Sequence, residues 1–155
     1  MKITHVLFGF PNAGQENLVT DIVNIQAKTH QVSVIILNDL VDYDLLSIID
    51  ERVSVYLIKR APGSFSPVAF FTFYFHLLRN CSDIVHFHEK GFTRLLPKLF
   101  ISRYGVLTIH STRLFNRQIE NFSQVVAVSE AVLTDLVQGG YSRSRNNLSV
   151  VSNGI

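Results

Sequence analysis

The sequence predicts a three-layer, doubly wound α/β domain built on a mainly parallel sheet of about seven strands. Two observations carry that reading. Seven short apolar runs rich in Val, Ile and Phe recur along the chain, as strands buried on both faces require. Between most of them lie stretches with the apolar spacing of a helix. Strand and helix alternating at this spacing make parallel strands joined by right-handed crossovers.

The strand runs are residues 3–10, 32–37, 53–58, 84–88, 106–109, 125–128 and 148–151. The first is followed by the tight turn Asn12-Ala13-Gly14, then by a helix over 16–28 with Leu18, Ile22 and Ile25 on one side. The connection 38–50 is partly helical on the pattern of Leu45, Leu46, Ile48 and Ile49. After the third run comes SPVAFFTFYFHLLRN, where Ser66 is a natural N-cap and Pro67 takes the first helical position. Phe70, Phe71, Phe73 and Phe75 follow, leaving only Thr72, His76, Arg79 and Asn80 as a polar stripe. A helix apolar nearly all round belongs in a core, and that is the expectation here. The alternative is an aromatic surface that meets a membrane interface or a partner. Its apolar stretch, 68–78, is far shorter than the roughly 20 residues a bilayer span needs.

Further on, Lys90, Arg94 and Lys98 fall four apart, which on a helix puts three cations on one face. Such a face is either simply solvated or a patch for phosphate groups or an anionic membrane surface. A helix over 129–138 gathers Val132, Leu133, Leu136 and Val137 and ends at Gly139-Gly140. Asn153-Gly154 after the last run reads as a turn.

Composition narrows the class. The chain has 155 residues, 47% apolar and 17% charged, which suits one globular domain and excludes a disordered chain. No internal repeat, low-complexity tract or linker divides it. A net charge of +2, without basic and aromatic residues interleaved, gives no case for nucleic acid. Residues 1–78 hold five Lys/Arg against seven Asp/Glu, and 79–155 hold nine against five, so the basic excess is local. The single cysteine, Cys81, cannot form an internal disulfide and fits a reducing compartment. Met1-Lys2 runs straight into an apolar segment with no cleavage site after it, so the expectation is a cytoplasmic protein without a secretory leader.

In an open parallel sheet, ligands bind at the carboxyl ends of the strands, which directs attention to four places. Asn12 and Gly14 follow the first strand, where free N–H groups at a helix start suit a phosphate and a residue without Cβ allows close approach. An ordinary strand-to-helix turn looks the same, and the pattern is neither G-x-G-x-x-G nor a P-loop. In DIVHFHE, His86 and His88 share a sheet face; a metal with His110 as third ligand is weighed and set aside, because no carboxylate or cysteine completes a ligand pattern. His86 is read as a hydrogen-bonded core histidine, and His88 and Glu89 as residues placed to meet a ligand. In LTIHST, His110 closes the fifth strand ahead of Ser111 and Thr112 and is the strongest candidate. A histidine there can donate to a sugar hydroxyl, hold a phosphate or move a proton near neutral pH, whereas the hydroxyls alone would serve as helix caps. In VVAVSEA, Ser129 is mainly a helix N-cap that also lines the same crevice. There is no nucleophile elbow, and Cys81 has no catalytic setting.

Taken in order, five segments resemble the N-terminal half of a GT-B glycosyltransferase of the retaining family 4. KITHVLFGFPNAGQENLV looks like that family's opening strand and Gly-Gly-x-Glu loop, with Ala13 where a first glycine is usual. DIVHFHE, LTIHST and VVAVSEA look like its fourth-strand histidine motif, its key histidine strand and its Val-Ser-Glu segment. VVSNGI is similar to its Pro-Asn-Gly junction, with Ser152 in the place of proline. The resemblance implies a Rossmann-like acceptor-binding domain over 1–152, the start of an interdomain hinge at 153–155, and a donor-binding C-terminal domain outside this chain. The Glu-x7-Glu motif of that second domain is absent, because Glu16, Glu51, Glu89, Glu120 and Glu130 include no pair eight apart.

By the same resemblance the full protein moves a hexose from a nucleotide-sugar, its co-substrate, to a glycan or lipid-linked acceptor in surface-polysaccharide synthesis, with no cofactor and no metal. His110 is then the catalytic residue, and Asn12, Gly14, His88, Glu89, Ser111, Thr112 and Ser129 bind substrate. The isolated chain transfers no sugar, and a membrane contact at the inner face of the cell membrane is its further expected partner. The alternative is a non-catalytic, flavodoxin-like module that binds a small phosphorylated ligand or a separate catalytic subunit.

Overall fold

Each of the seven apolar runs forms a strand in the computed structural model, which describes residues 1–113, 115–142 and 147–152. The elements are β1 (Lys2–Leu7), α1 (Gly14–Gln26), β2 (Gln31–Asn38), α2 (Tyr43–Ser47), β3 (Ser54–Arg60), α3 (Pro67–Arg79) and β4 (Ile84–Phe87), then α4 (Lys98–Tyr104), β5 (Gly105–Ile109), β6 (Gln124–Ala127), α5 (Glu130–Gln138) and β7 (Leu148–Val150). Short 3₁₀ turns cover Lys90–Arg94 and Arg117–Asn121. The strands belong to one seven-stranded sheet. The chain divides into two compact units, Met1–Val85 and His86–Ile155, and the division falls inside β4.

In the first unit the strand order is β3-β2-β1-β4. β1 and β3 both pair with β2 in parallel, with Val6 opposite Ile35 and Ile35 opposite Tyr56. Strand alternation then divides the side chains of β2 between two layers. Val32, Val34 and Ile36 pack in one core with Val19, Val23 and Leu45 from α1 and α2. The opposite face meets α3, whose His76 ring lies 4.3 Å from that of Tyr56. β3 is the edge strand, and its pairing slips from Ile36 opposite Leu57 to Asn38 opposite Arg60. The extra residue is a bulge, and within it Lys59 takes the left-handed φ of 57°.

In the second unit the order is β4-β5-β6-β7, with Leu107 opposite Val125 and Ala127 opposite Val150, again parallel. Here the Phe87 ring lies 5.4 Å from that of Phe92 and 5.6 Å from that of Phe122, and Ile101, Leu107, Ile119 and Leu136 are buried as well. α4 runs directly into β5, and Gly105 makes that possible. A Cβ there would stand 2.6 Å from the Ile101 carbonyl and 2.9 Å from the Phe122 ring.

Three expectations are corrected. Lys90, Arg94 and Lys98 do not share a helix face: Lys90 and Arg94 sit in a 3₁₀ turn and Lys98 opens α4 beyond Pro97. Proline cannot continue the preceding turn, because it lacks the N–H and its ring crowds the chain before it. α3 is not a core helix all round. Ala69, Phe73 and Leu77 are buried, whereas Val68, Phe71, Phe75 and Leu78 are exposed. β1 ends at Leu7, and Phe10 beyond it makes only a single bridge to Val41. The expected hinge at 153–155 lies outside the described residues. Among those residues no helix is long and apolar enough to cross a membrane.

Candidate functional site at the strand ends

The expected site residues fall in both units. Asn12 and Gly14 belong to the first. Gly14 opens α1, and its neighbour Ala13, at the N-cap, supplies no side-chain cap. Asn12 accepts a hydrogen bond at 3.0 Å from Asn17 in the first turn of α1, which ties the turn to the helix it precedes. A Cβ on Gly14 would meet nothing within 4 Å, so nothing in the chain itself requires a glycine there. Two residues on, the Glu16 side chain is buried, and burial raises its carboxyl above the ordinary range.

The other six residues lie in the second unit, and there the structure brings a group together. His88 follows the last residue of β4, and His110 follows the last residue of β5. Nδ1 of His88 stands 3.4 Å from Nε2 of His110. His86 stacks on His88 with ring centroids 4.4 Å apart, and its Nε2 lies 2.7 Å from the Thr108 hydroxyl. His86 is therefore hydrogen-bonded, as its place in the run predicts, but it is half-buried rather than a core histidine, and it is His88 that is buried. Thr108 lies two residues before His110 in β5 and so shares its sheet face.

His88, expected to be placed to meet a ligand, is only 3% exposed, so its ring is closed to direct contact and reaches the surface only through its neighbour His110. His110 is partly buried, and desolvation holds its imidazole below the ordinary histidine range. That burial favours the uncharged ring, with one N–H and one lone pair. Contact with His88 engages Nε2.

After His110 the chain is exposed through Ser111, Thr112 and Arg113. Arg113 takes a left-handed φ of 61°, and its backbone N–H donates to Asp135 of α5 at 2.6 Å. Asp135 thus holds the hydroxyl-bearing loop in place. Ser129 caps α5, its hydroxyl accepting from the Val132 N–H at 3.3 Å. Glu89 stands where β4 gives way to the 3₁₀ turn. Beside it, Lys90, Gly91, Thr93, Arg94 and Asn116 line a cavity of about 300 Å³. Of the three cations expected on one stripe, two line this cavity.

The sequence reading missed Asp135, Thr108 and the Asn116 side of the cavity. Thr108 had a signal, a polar residue inside the apolar run VLTI, on the face that carries His110. Asp135 had none, because only the fold brings the middle of α5 to the loop after β5.

Strand order, parallel pairing and helical crossovers define a Rossmann-like α/β domain, with polar groups gathered at the carboxyl ends of its strands. The chain belongs to glycosyltransferase family 4: the profile of Glycosyltransferase Family 4 matches residues 12–155. No curated protein matches the chain. Among solved structures it is similar to Anabaena Alr3699/HepE in complex with UDP and glucose, at 20% identity and a TM-score of 0.73, over 100% of this chain and 45% of that one. The same Anabaena protein in complex with UDP-glucose gives 18% identity and a TM-score of 0.66, over 100% and 44%. A glycosyltransferase from Rickettsia africae ESF-5 gives 17% identity and a TM-score of 0.65, over 99% and 43%. The chain therefore spans less than half the length of these relatives, and the likeness is one of fold.

Proposed function

We propose that this chain is the acceptor-side half of a nucleotide-sugar-dependent glycosyltransferase that retains anomeric configuration. The observation that carries the reading is the His88–His110 contact at adjacent strand ends, next to a loop of two hydroxyls fixed by Asp135. Family membership supplies the reaction class. In this reading His110 orients the donor sugar and the acceptor hydroxyl near the anomeric carbon. Glu89, Ser111, Thr112 and Ser129 line the acceptor shelf, and His88 holds the His110 ring. Lys90 and Arg94 favour an acceptor that carries phosphate, as a lipid-linked sugar does.

The N–H groups at the start of α1, with Asn12 and Gly14, would receive part of the donor diphosphate and stabilise its charge as it leaves. A second domain, outside this chain, would bind most of the donor and close over the acceptor. The HepE structures contain UDP and UDP-glucose, which makes UDP-glucose the first donor to test. The setting is the cytoplasmic side of the membrane, in the assembly of a surface polysaccharide, and the chain works without a metal or cofactor.

The test is sugar transfer from labelled UDP-sugars to lipid-linked and free acceptors, by this chain alone and by the longest protein that contains it. The longer protein should transfer sugar, and His110→Ala should lower its rate by about 10²- to 10⁴-fold. Unchanged transfer in His110→Ala removes His110 from the site. Turnover by the 155-residue chain alone overturns the two-domain reading.

A further inference from the structure

Helix α3 has two apolar faces and buries only one. Val68, Phe71, Phe75 and Leu78, spaced by three, four and three residues, stand on the outer face with exposures of 75, 76, 55 and 64%. Phe65, just before the Ser66 N-cap, is 83% exposed. The stripe runs for about 15 Å along the helix axis. Leaving so much aromatic surface in water is costly, and patches of this kind mark contact with a partner or a bilayer.

The surrounding charge identifies the occupant. Between Glu51 and Asp83 the chain has no carboxylate and four cations, Arg52, Lys59, Arg60 and Arg79. Arg52 is paired with Asp50, which leaves three. Two of these bracket the helix: the Arg60 guanidinium lies 5.8 Å from the centre of the Phe70 ring, and that of Arg79 lies 5.7 Å from the centre of Phe75. At the C-terminal end of α3 a polar cavity of about 120 Å³ is lined by Lys2 and Arg79 together with the hydroxyl-bearing residues Ser33, Ser54, Tyr56 and Ser82. No carboxylate lines it, and the neighbouring Asp83 carboxylate accepts the Lys2 backbone N–H at 2.8 Å. Two cations and several hydroxyls around a cavity of that size suit a phosphate group. An apolar stripe, cations at its ends and a phosphate-sized polar cavity beside it are together complementary to an anionic lipid surface.

We propose that α3 is a membrane-interface helix. Val68, Phe71, Phe75 and Leu78 enter the boundary between headgroups and acyl chains of an anionic bilayer, and the Lys2–Arg79 cavity takes one headgroup phosphate. The proposal deepens the lipid-linked acceptor in the function proposed above by naming the surface that reaches the lipid. Its readout is vesicle binding, so it stands or falls separately from sugar transfer.

The test is flotation of the chain with vesicles of phosphatidylcholine containing about 30 mol% phosphatidylglycerol, and with phosphatidylcholine alone. The unaltered chain should float with the anionic vesicles and release them at high salt. Phe71→Ser with Phe75→Ser should weaken binding at least about tenfold, and Arg79→Gln several-fold, with circular-dichroism melting of both variants unchanged. Absence of flotation, or flotation that these variants leave intact, overturns the proposal. So does equal binding to both vesicle types. A dimer seen in sedimentation without vesicles and lost in the double phenylalanine variant assigns the face to a second copy instead. Binding of inorganic phosphate without flotation reduces the cavity to a free-anion site and also overturns the lipid proposal.

Discussion

Nδ1 of His88 lies 3.4 Å from Nε2 of His110, at the ends of neighbouring parallel strands. At such a distance one ring donates and the other accepts, so one of the two facing nitrogens carries no proton. Burial disfavours the charged form of His110. In a histidine-resolved NMR titration, His110 should therefore protonate below the ordinary value of 6.5. His88→Phe should release the ring and alter the titration. In the longer protein it should lower kcat more than it raises KM, because the ring is misplaced rather than absent. An unaltered titration in His88→Phe would separate the two residues.

His5 gives the protein an acid-sensitive core. It is fully buried in β1, with Nε2 2.8 Å from the Gln26 carboxamide oxygen. Desolvation pushes its pKa from 6.5 down to about 4, outweighing the opposing effect of the Gln26 hydrogen bond. A histidine kept neutral in the fold but free to protonate when unfolded favours the unfolded chain in acid. The stabilisation is complete above pH 6.5 and is lost as pH falls from there towards about 4. The loss amounts to about 3 kcal/mol over that window. Urea melts at pH 7 and pH 4.5 should show it, and His5→Gln should flatten the dependence over the same range.

Two phenylalanines on one helix should behave oppositely. Phe73 is fully buried in α3 and Phe71 is 76% exposed. Phe73→Ala should cost about 3–5 kcal/mol of stability, whereas Phe71→Ala should stay within about 0.5 kcal/mol of the unaltered chain. Chemical denaturation of the two single variants decides the matter. Equal losses would mean that α3 packs on both faces.

Two glycines make a similar contrast. Gly14→Ala adds a methyl group to open space at the start of a helix, so stability should hold or rise by up to about 1 kcal/mol. If donor phosphates approach that backbone, the same change should raise KM for the nucleotide-sugar in the longer protein. Gly105→Ala puts a Cβ 2.6 Å from the Ile101 carbonyl and should destabilise by about 1–3 kcal/mol. Thermal melts of both variants check the pair.

What was legible in the sequence, and what was not, follows from the kind of information each feature needs. Strand positions were legible, because a strand buried on both faces writes a run of Val and Ile that few other structures tolerate. The start of α3 was legible because Ser66 and Pro67 act locally, and Ser66 does accept the Ala69 N–H. Which face of α3 is buried was not, since phenylalanines occur on both sides and only the packing on β2 and β3 distinguishes them. The cation stripe failed for a local reason: Pro97 ends one turn and allows another to begin. At the candidate site, the place of His110 just beyond a strand end was legible from the apolar run before it. Asp135 was not, because it lies 22 residues from the loop it holds.

The bulge in β3 has a consequence for how this chain behaves among others. An edge strand offers a row of unpaired N–H and C=O groups to any extended segment that drifts against it. Here the extra residue and the left-handed Lys59 bend that row out of register and set a charge on it. A chain with an exposed Phe-rich helix thus blunts the nearby edge that would otherwise invite indiscriminate self-association. Straightening the bulge by deleting Lys59 should raise the chain's tendency to aggregate, which light scattering would show.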